Sequence, residues 1–108
     1  MTQVSGELNR DANNIPVGWS FANIVLAAPT TTTVKSGSGV LHSITFNKPV
    51  ATGVVTIYDN TAASGTKIGI ITTPASPIPV TLYYDATFNT GLTLVSATAA
   101  QDITVTYI

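Results

Sequence analysis

Val40-Leu41-His42-Ser43-Ile44-Thr45-Phe46-Asn47 is the stretch whose period decides the fold. Side chains in a strand point alternately to opposite faces. Val40, His42, Ile44 and Phe46 therefore share one face, and Leu41, Ser43, Thr45 and Asn47 the other. The first set is the more apolar and is expected to look inward. The same period returns where Val80, Leu82 and Tyr84 alternate with Thr81, Tyr83 and Asp85, and where Ile103, Val105 and Tyr107 alternate with Thr104 and Thr106. One apolar face and one threonine-rich face is the pattern of a sheet packed on one side only.

On either side of this stretch the chain breaks into short runs rich in Val, Ile and Thr. These β-branched residues suit a pleated surface and lose rotamer freedom in a helix. Eight strands are expected: Ile24 to Ala28, Thr31 to Ser36, Val40 to Asn47, Val54 to Asp59, Lys67 to Thr73, Val80 to Asp85, Leu92 to Ala97, and Ile103 to Tyr107. Between them lie Ser36-Gly37-Ser38-Gly39, Asn47-Lys48-Pro49, Asp59-Asn60-Thr61 with Ser64-Gly65, Pro74 to Pro79, and Asn89-Thr90-Gly91, all carrying residues that fix turns. Pro77 and Pro79 flank Ile78 and forbid a regular ladder there, so the strand starting at Val80 is expected at a sheet edge. No helix-length period interrupts the series. The expected fold is all-β, a single sandwich, jelly-roll-like or immunoglobulin-like, of about eight short strands. The likeness of Val54–Asp59 to Val80–Asp85 needs no duplication, because both are strands ending in Tyr-Asp.

The chain has 108 residues, enough for one domain. Only 8% of them are Asp, Glu, Lys or Arg, against about 25% in ordinary soluble domains, and the mean hydropathy is +0.36. A membrane span would explain that balance, but it needs about 20 consecutive apolar residues. The best run, Ile24-Val25-Leu26-Ala27-Ala28, stops at Pro29. The first 22 residues carry Glu7, Arg10 and Asp11 where a secretory leader has its apolar stretch, so no signal peptide is expected. The remaining explanation is burial against other chains, since obligate interfaces are depleted in charge. A homo-oligomer or larger assembly is expected. Four basic residues, five acidic ones and a net charge of −1 offer no electrostatic footprint for nucleic acid.

Residues 1–22 differ from the rest and are expected to form an extended N-terminal arm, with the sandwich over 23–108. The arm holds Gln3, Asn9, Asn13 and Asn14, three charges, the single Trp and no period-2 pattern. Within it Ile15, Val17, Trp19 and Phe21 form an apolar cluster, the candidate partner-binding residues. Two fates are open to Trp19 and Phe21: capping the domain's own core, or docking on a neighbouring chain, where aromatic anchors are enriched.

The chemistry-bearing residues are few. With no cysteine, disulfides, thiolate nucleophiles and Cys-bound zinc are excluded. His42 is the single imidazole and falls on the face expected to be buried, where a core or interface role fits better than catalysis. One His and five scattered carboxylates supply no metal-ligand spacing, and Asp59-Asn60-Thr61 lacks the further acids of a calcium loop, so a turn cap is expected there. Asp59 and Asp85 are the pair to consider for hydrolytic chemistry, and both sit where Asp commonly starts a turn. Gly37-Ser38-Gly39 leads into a strand, whereas phosphate-cradling glycines open a helix. No catalytic residue and no cofactor is expected.

The stretch Val34-Lys35-Ser36-Gly37-Ser38-Gly39-Val40-Leu41-His42-Ser43-Ile44-Thr45-Phe46-Asn47, followed by Val54-Val55-Thr56-Ile57-Tyr58-Asp59-Asn60-Thr61-Ala62-Ala63-Ser64-Gly65-Thr66-Lys67-Ile68, resembles a group of small virion proteins of tailed phages. The likeness continues through Pro79-Val80-Thr81-Leu82-Tyr83-Tyr84-Asp85 and Phe88-Asn89-Thr90-Gly91-Leu92 to Ile103-Thr104-Val105-Thr106-Tyr107, about residues 34 to 108. The resemblance implies a compact sandwich on the outside of a phage head, made in the host cytoplasm, as a decoration (cement) protein or part of a head fibre. It brings no catalytic residues. The implied partner is the major capsid protein, and the implied assembly a trimer held by many weak contacts at high effective concentration. An alternative is a head or tail fibre module binding a host receptor or glycan, with Tyr58, Tyr83 and Tyr84 as stacking surface.

Overall fold

The computed structural model describes residues 9–10, 16–26 and 30–108. All of its regular elements are strands. β1 (Asn9–Arg10) and β2 (Pro16–Val17) pair as a short antiparallel ribbon. Eight longer strands follow: β3 (Ser20–Leu26), β4 (Thr30–Ser36), β5 (Gly39–Lys48), β6 (Val54–Asp59), β7 (Thr66–Thr72), β8 (Val80–Phe88), β9 (Gly91–Ser96) and β10 (Gln101–Tyr107). They form two four-stranded sheets, ordered β3-β10-β5-β8 and β4-β9-β6-β7, with every pairing antiparallel.

The pairings nest: β3 with β10, β4 with β9, β5 with β8, β6 with β7. A long hairpin folded twice onto itself gives this order, which is that of a jelly roll. The β-sandwich expected from the sequence is therefore present, in the first of its two forms. All eight expected strands occur, with shifted ends. β3 takes in Ser20–Ala22, which the sequence reading assigned to the arm. β8 continues three residues beyond Asp85 to Phe88 and is an edge strand, as the flanking prolines require.

Leu41, Ile44, Phe46, Phe88, Ile103 and Val105 of the first sheet face Val55, Ile57, Leu92 and Leu94 of the second. Each of these is essentially removed from water, which stabilises the fold by about 1.5–3 kcal/mol for a large aliphatic or Phe side chain. The layers also interdigitate at Gly69 of β7, where a methyl group would lie 2.8 Å from the Tyr84 hydroxyl. Tyr84 thus reaches across the interior into space that the glycine leaves free, and burial pushes its phenol pKa upward.

Polar groups close the end of the sandwich. Buried Gln101 accepts from the Val50 N–H at 2.9 Å and donates to the Val50 carbonyl at 3.1 Å. The Thr73 hydroxyl accepts from Gly53 N–H at 2.7 Å and donates to Val50 O at 2.5 Å. Among the described residues no buried side-chain polar atom lacks a partner, so these groups avoid the desolvation cost of an unmade bond.

Candidate binding face

The outward face of the β3-β10-β5-β8 sheet can be read off its register. One row across it is Phe21, Thr106, Ser43 and Tyr83; the next is Asn23, Thr104, Thr45 and Thr81. The polar members bond to one another: Ser43 to Thr106 at 2.5 Å, and Thr45 to Thr81 at 2.9 Å. Asn23 and Asn47 flank β10 from either side, and each donates to both Asp102 and Thr104 at 3.0–3.2 Å. The Asn23 amide, then that of Asn47, with the Lys48 charge assisting, holds the Asp102 carboxyl below the usual carboxylate range. The aromatic members stand clear of this floor, Phe21 72% and Tyr83 70% exposed.

His42 sits at the irregular point of the face. Against β10, Thr106 pairs with Ser43 and Tyr107 with Leu41, so β5 has one residue extra, His42. Against β8, Leu41 pairs with Ala86 and Ser43 with Tyr83, so β8 in turn has the extra residue. Asp85 lies in that second bulge with φ +49°, the left-handed region. The double irregularity shifts the phase of β5. Leu41, Ile44 and Phe46 are buried while His42 is turned out, its side chain 25% exposed. The inward placement expected for His42 is thus corrected: strict alternation fails where a bulge absorbs one residue.

Turned out, His42 organises its neighbours. Its Nδ1 meets the Asp85 carboxylate at 2.5 Å. Trp19 stacks flat on its ring, centroids 4.2 Å apart and planes within 3°. Tyr83 meets the same imidazole edge-on at 5.6 Å. The adjacent Ser43 hydroxyl is buried and bonded to Thr106, and so is not presented as a nucleophile. No group of three or more His, Asp or Glu side chains gathers as a metal site among the described residues.

The four residues singled out from the sequence have different fates. Trp19 packs neither in the core nor, in this single chain, on a neighbour; it docks on the chain's own outer sheet face through His42. Phe21 lies in β3 on that face, pointing outward. Val17 enters only as backbone, in β2 opposite Asn9. Ile15 lies outside the described residues. Of the three tyrosines considered for stacking, Tyr83 is presented, Tyr58 is half-buried on the other sheet, and Tyr84 points inward. The sequence reading missed the His42–Asp85 pair. Its trace was there, since Leu82, Tyr84, Ala86 and Phe88 carry the alternation straight through Asp85.

Asp59, ending β6, does cap a turn. Its carboxylate accepts from the N–H groups of Asn89, Thr90 and Gly91 at 2.8–3.4 Å and ties β6 to the β8–β9 connection. The Asn89 N–H, then that of Thr90, holds its pKa below the usual range. Asp59 and Asp85 therefore serve different sheets and have separate partners.

Concavities among the described residues flank the sandwich. An apolar groove of about 160 Å³ opens between the edge strands β7 and β8, floored by Phe46, Ile71 and Leu82 and walled by Pro77, Ile78 and Val80. A shallower one of about 280 Å³ lies beside Val25, Lys48, Val50 and Asp102. Comparison with protein families, with curated proteins and with solved structures finds no match to this chain.

Proposed function

We propose that this chain is a decoration (cement) protein of a tailed-phage head, binding the outside of the shell and stabilising it as a non-enzymatic homotrimer. The supporting observation is the apolar groove at the β7–β8 edge. Ile78 is 73% exposed there and Val80 lies beside it, above a floor of core side chains. In a chain with nine charged residues, such a surface is suited to cover by another protein. The quoted resemblance over residues 34 to 108 supplies the identity of that protein, the major capsid protein. Proline at the groove rim keeps the free sheet edge from pairing with stray strands.

Mixing purified protein with mature heads that lack it, then sedimenting the heads, tests the proposal. The protein is expected to cosediment in multiples of three copies and to raise the temperature at which heads release DNA. Ile78→Asp, which leaves the buried core intact, is expected to abolish cosedimentation. Heads that sediment free of the wild-type chain refute the proposal.

A further inference from the structure

We propose that the outer face of the β3-β10-β5-β8 sheet is a binding site for a neutral glycan. Two features of ligand chemistry are written into it. Phe21 and Tyr83, at the ends of one cross-sheet row, are three strand spacings apart, about 14 Å. Trp19 is held on the same face by its stack on His42. Single exposed aromatics are ordinary on protein surfaces, but here three ride on one face, two of them fixed against the same imidazole. Flat apolar rings on a polar floor match the C–H faces of a pyranose.

The polar groups decide between ligand classes. The carboxylates of Asp85 and Asp102 offer acceptors, and the hydroxyl and amide groups between them are bonded within the sheet. An acceptor-rich face suits a donor-rich ligand, which the hydroxyls of a sugar provide. A proline-rich peptide brings carbonyl acceptors and few donors, and so is disfavoured. Nucleic acid or a sialylated glycan brings negative charge toward two carboxylates, with Lys48 the nearby cation on this face. The backbone investment is local as well. A pair of bulges and a left-handed Asp85 are what turn His42 outward, and bulges recur where a side chain is re-aimed toward a ligand.

The full chain, applied to an array of neutral and of sialylated or sulfated oligosaccharides, tests the site. The expected result is binding to neutral glycans, followed in titration by a change in emission from Trp19, the single tryptophan. Measured by calorimetry, which does not depend on the tryptophan signal, Tyr83→Ala and Trp19→Ala are each expected to weaken binding about tenfold, Tyr83→Phe to leave it within about twofold of wild type, and Ile78→Asp at the β7–β8 groove to leave it unchanged. No glycan bound, binding confined to acidic glycans, unchanged emission, or wild-type affinity in both alanine variants overturns the proposal. Binding of a proline-rich peptide in place of any glycan overturns it equally. Cosedimentation with heads is read separately, so either role is refuted without the other.

Discussion

Ile57 and Ile70 lie on hydrogen-bonded neighbouring strands of one sheet, where Ile57 pairs with Gly69 and Ile70 with Thr56. They differ in the face they occupy. Ile57 is fully buried between the layers, and Ile70 is 55% exposed on the outside. Replacing Ile57 by Ala removes apolar atoms from contact with the opposite sheet and leaves a cavity, which costs about 2–5 kcal/mol. The same replacement at Ile70 removes atoms already half in water, and less than about 1 kcal/mol is expected, including the lower strand preference of Ala. Unfolding entropy of about 2.1 cal/mol/K per residue gives roughly 0.23 kcal/mol/K for a chain of this length, so about 3 kcal/mol lowers Tm by roughly 13 °C. A domain of this size has about 5–15 kcal/mol in total, so Ile57→Ala remains folded at low temperature if stability lies above the bottom of that range. Urea unfolding of both variants, followed by far-ultraviolet circular dichroism, reads the difference directly. Equal losses at the two positions, or a larger loss at Ile70, refute the two-layer arrangement of these strands.

Gly69→Ala is expected to lose about 1–3 kcal/mol by pressing a methyl on the Tyr84 ring. Most of that loss should disappear in a Tyr84→Val background, a coupling that a double-mutant cycle measures. Asp59→Ala is expected to lower Tm at neutral pH by freeing the Asn89–Gly91 turn. Because the folded pKa of Asp59 is depressed, its contribution is present above the unfolded carboxylate value and is lost as pH falls below about 4; the Tm gap between wild type and variant should close on acidification, and a constant gap contradicts the cap. His42→Ala is expected to expose Trp19 to acrylamide quenching, and Asp85→Ala to do so more weakly. Unchanged quenching in both refutes the stack.

Much of the sandwich was legible because its signals are local. Period-2 alternation in β8 and β10, β-branched runs and glycine-, proline- or asparagine-marked turns are properties of a few consecutive residues. The edge position of β8 followed from Pro77 and Pro79. The choice between jelly roll and immunoglobulin order was not legible, because strand order depends on which distant strands meet, and Val, Ile and Thr carry no addresses. The Asn23–Asp102–Asn47 ladder was hidden for the same reason: its members are brought together from three strands far apart in sequence.

The two local misreadings have one physical origin. Asp85 was taken to start a turn because Asp tolerates left-handed backbone, and His42 was assigned inward because alternation was assumed unbroken. The left-handed Asp85 exists, but within β8, as a bulge rather than a turn. That bulge, with the matching extra residue in β5, is what turns His42 outward and lets the Asp85 carboxylate meet it. In a strand pair, slipping one residue exchanges the buried and exposed sets. Here the slip is confined between Leu41 and Ile44, so the core is kept on both sides of it and one imidazole is transferred to the surface. It is at this slip, rather than in the regular threonine-lined remainder, that Trp19 and Tyr83 gather on the imidazole.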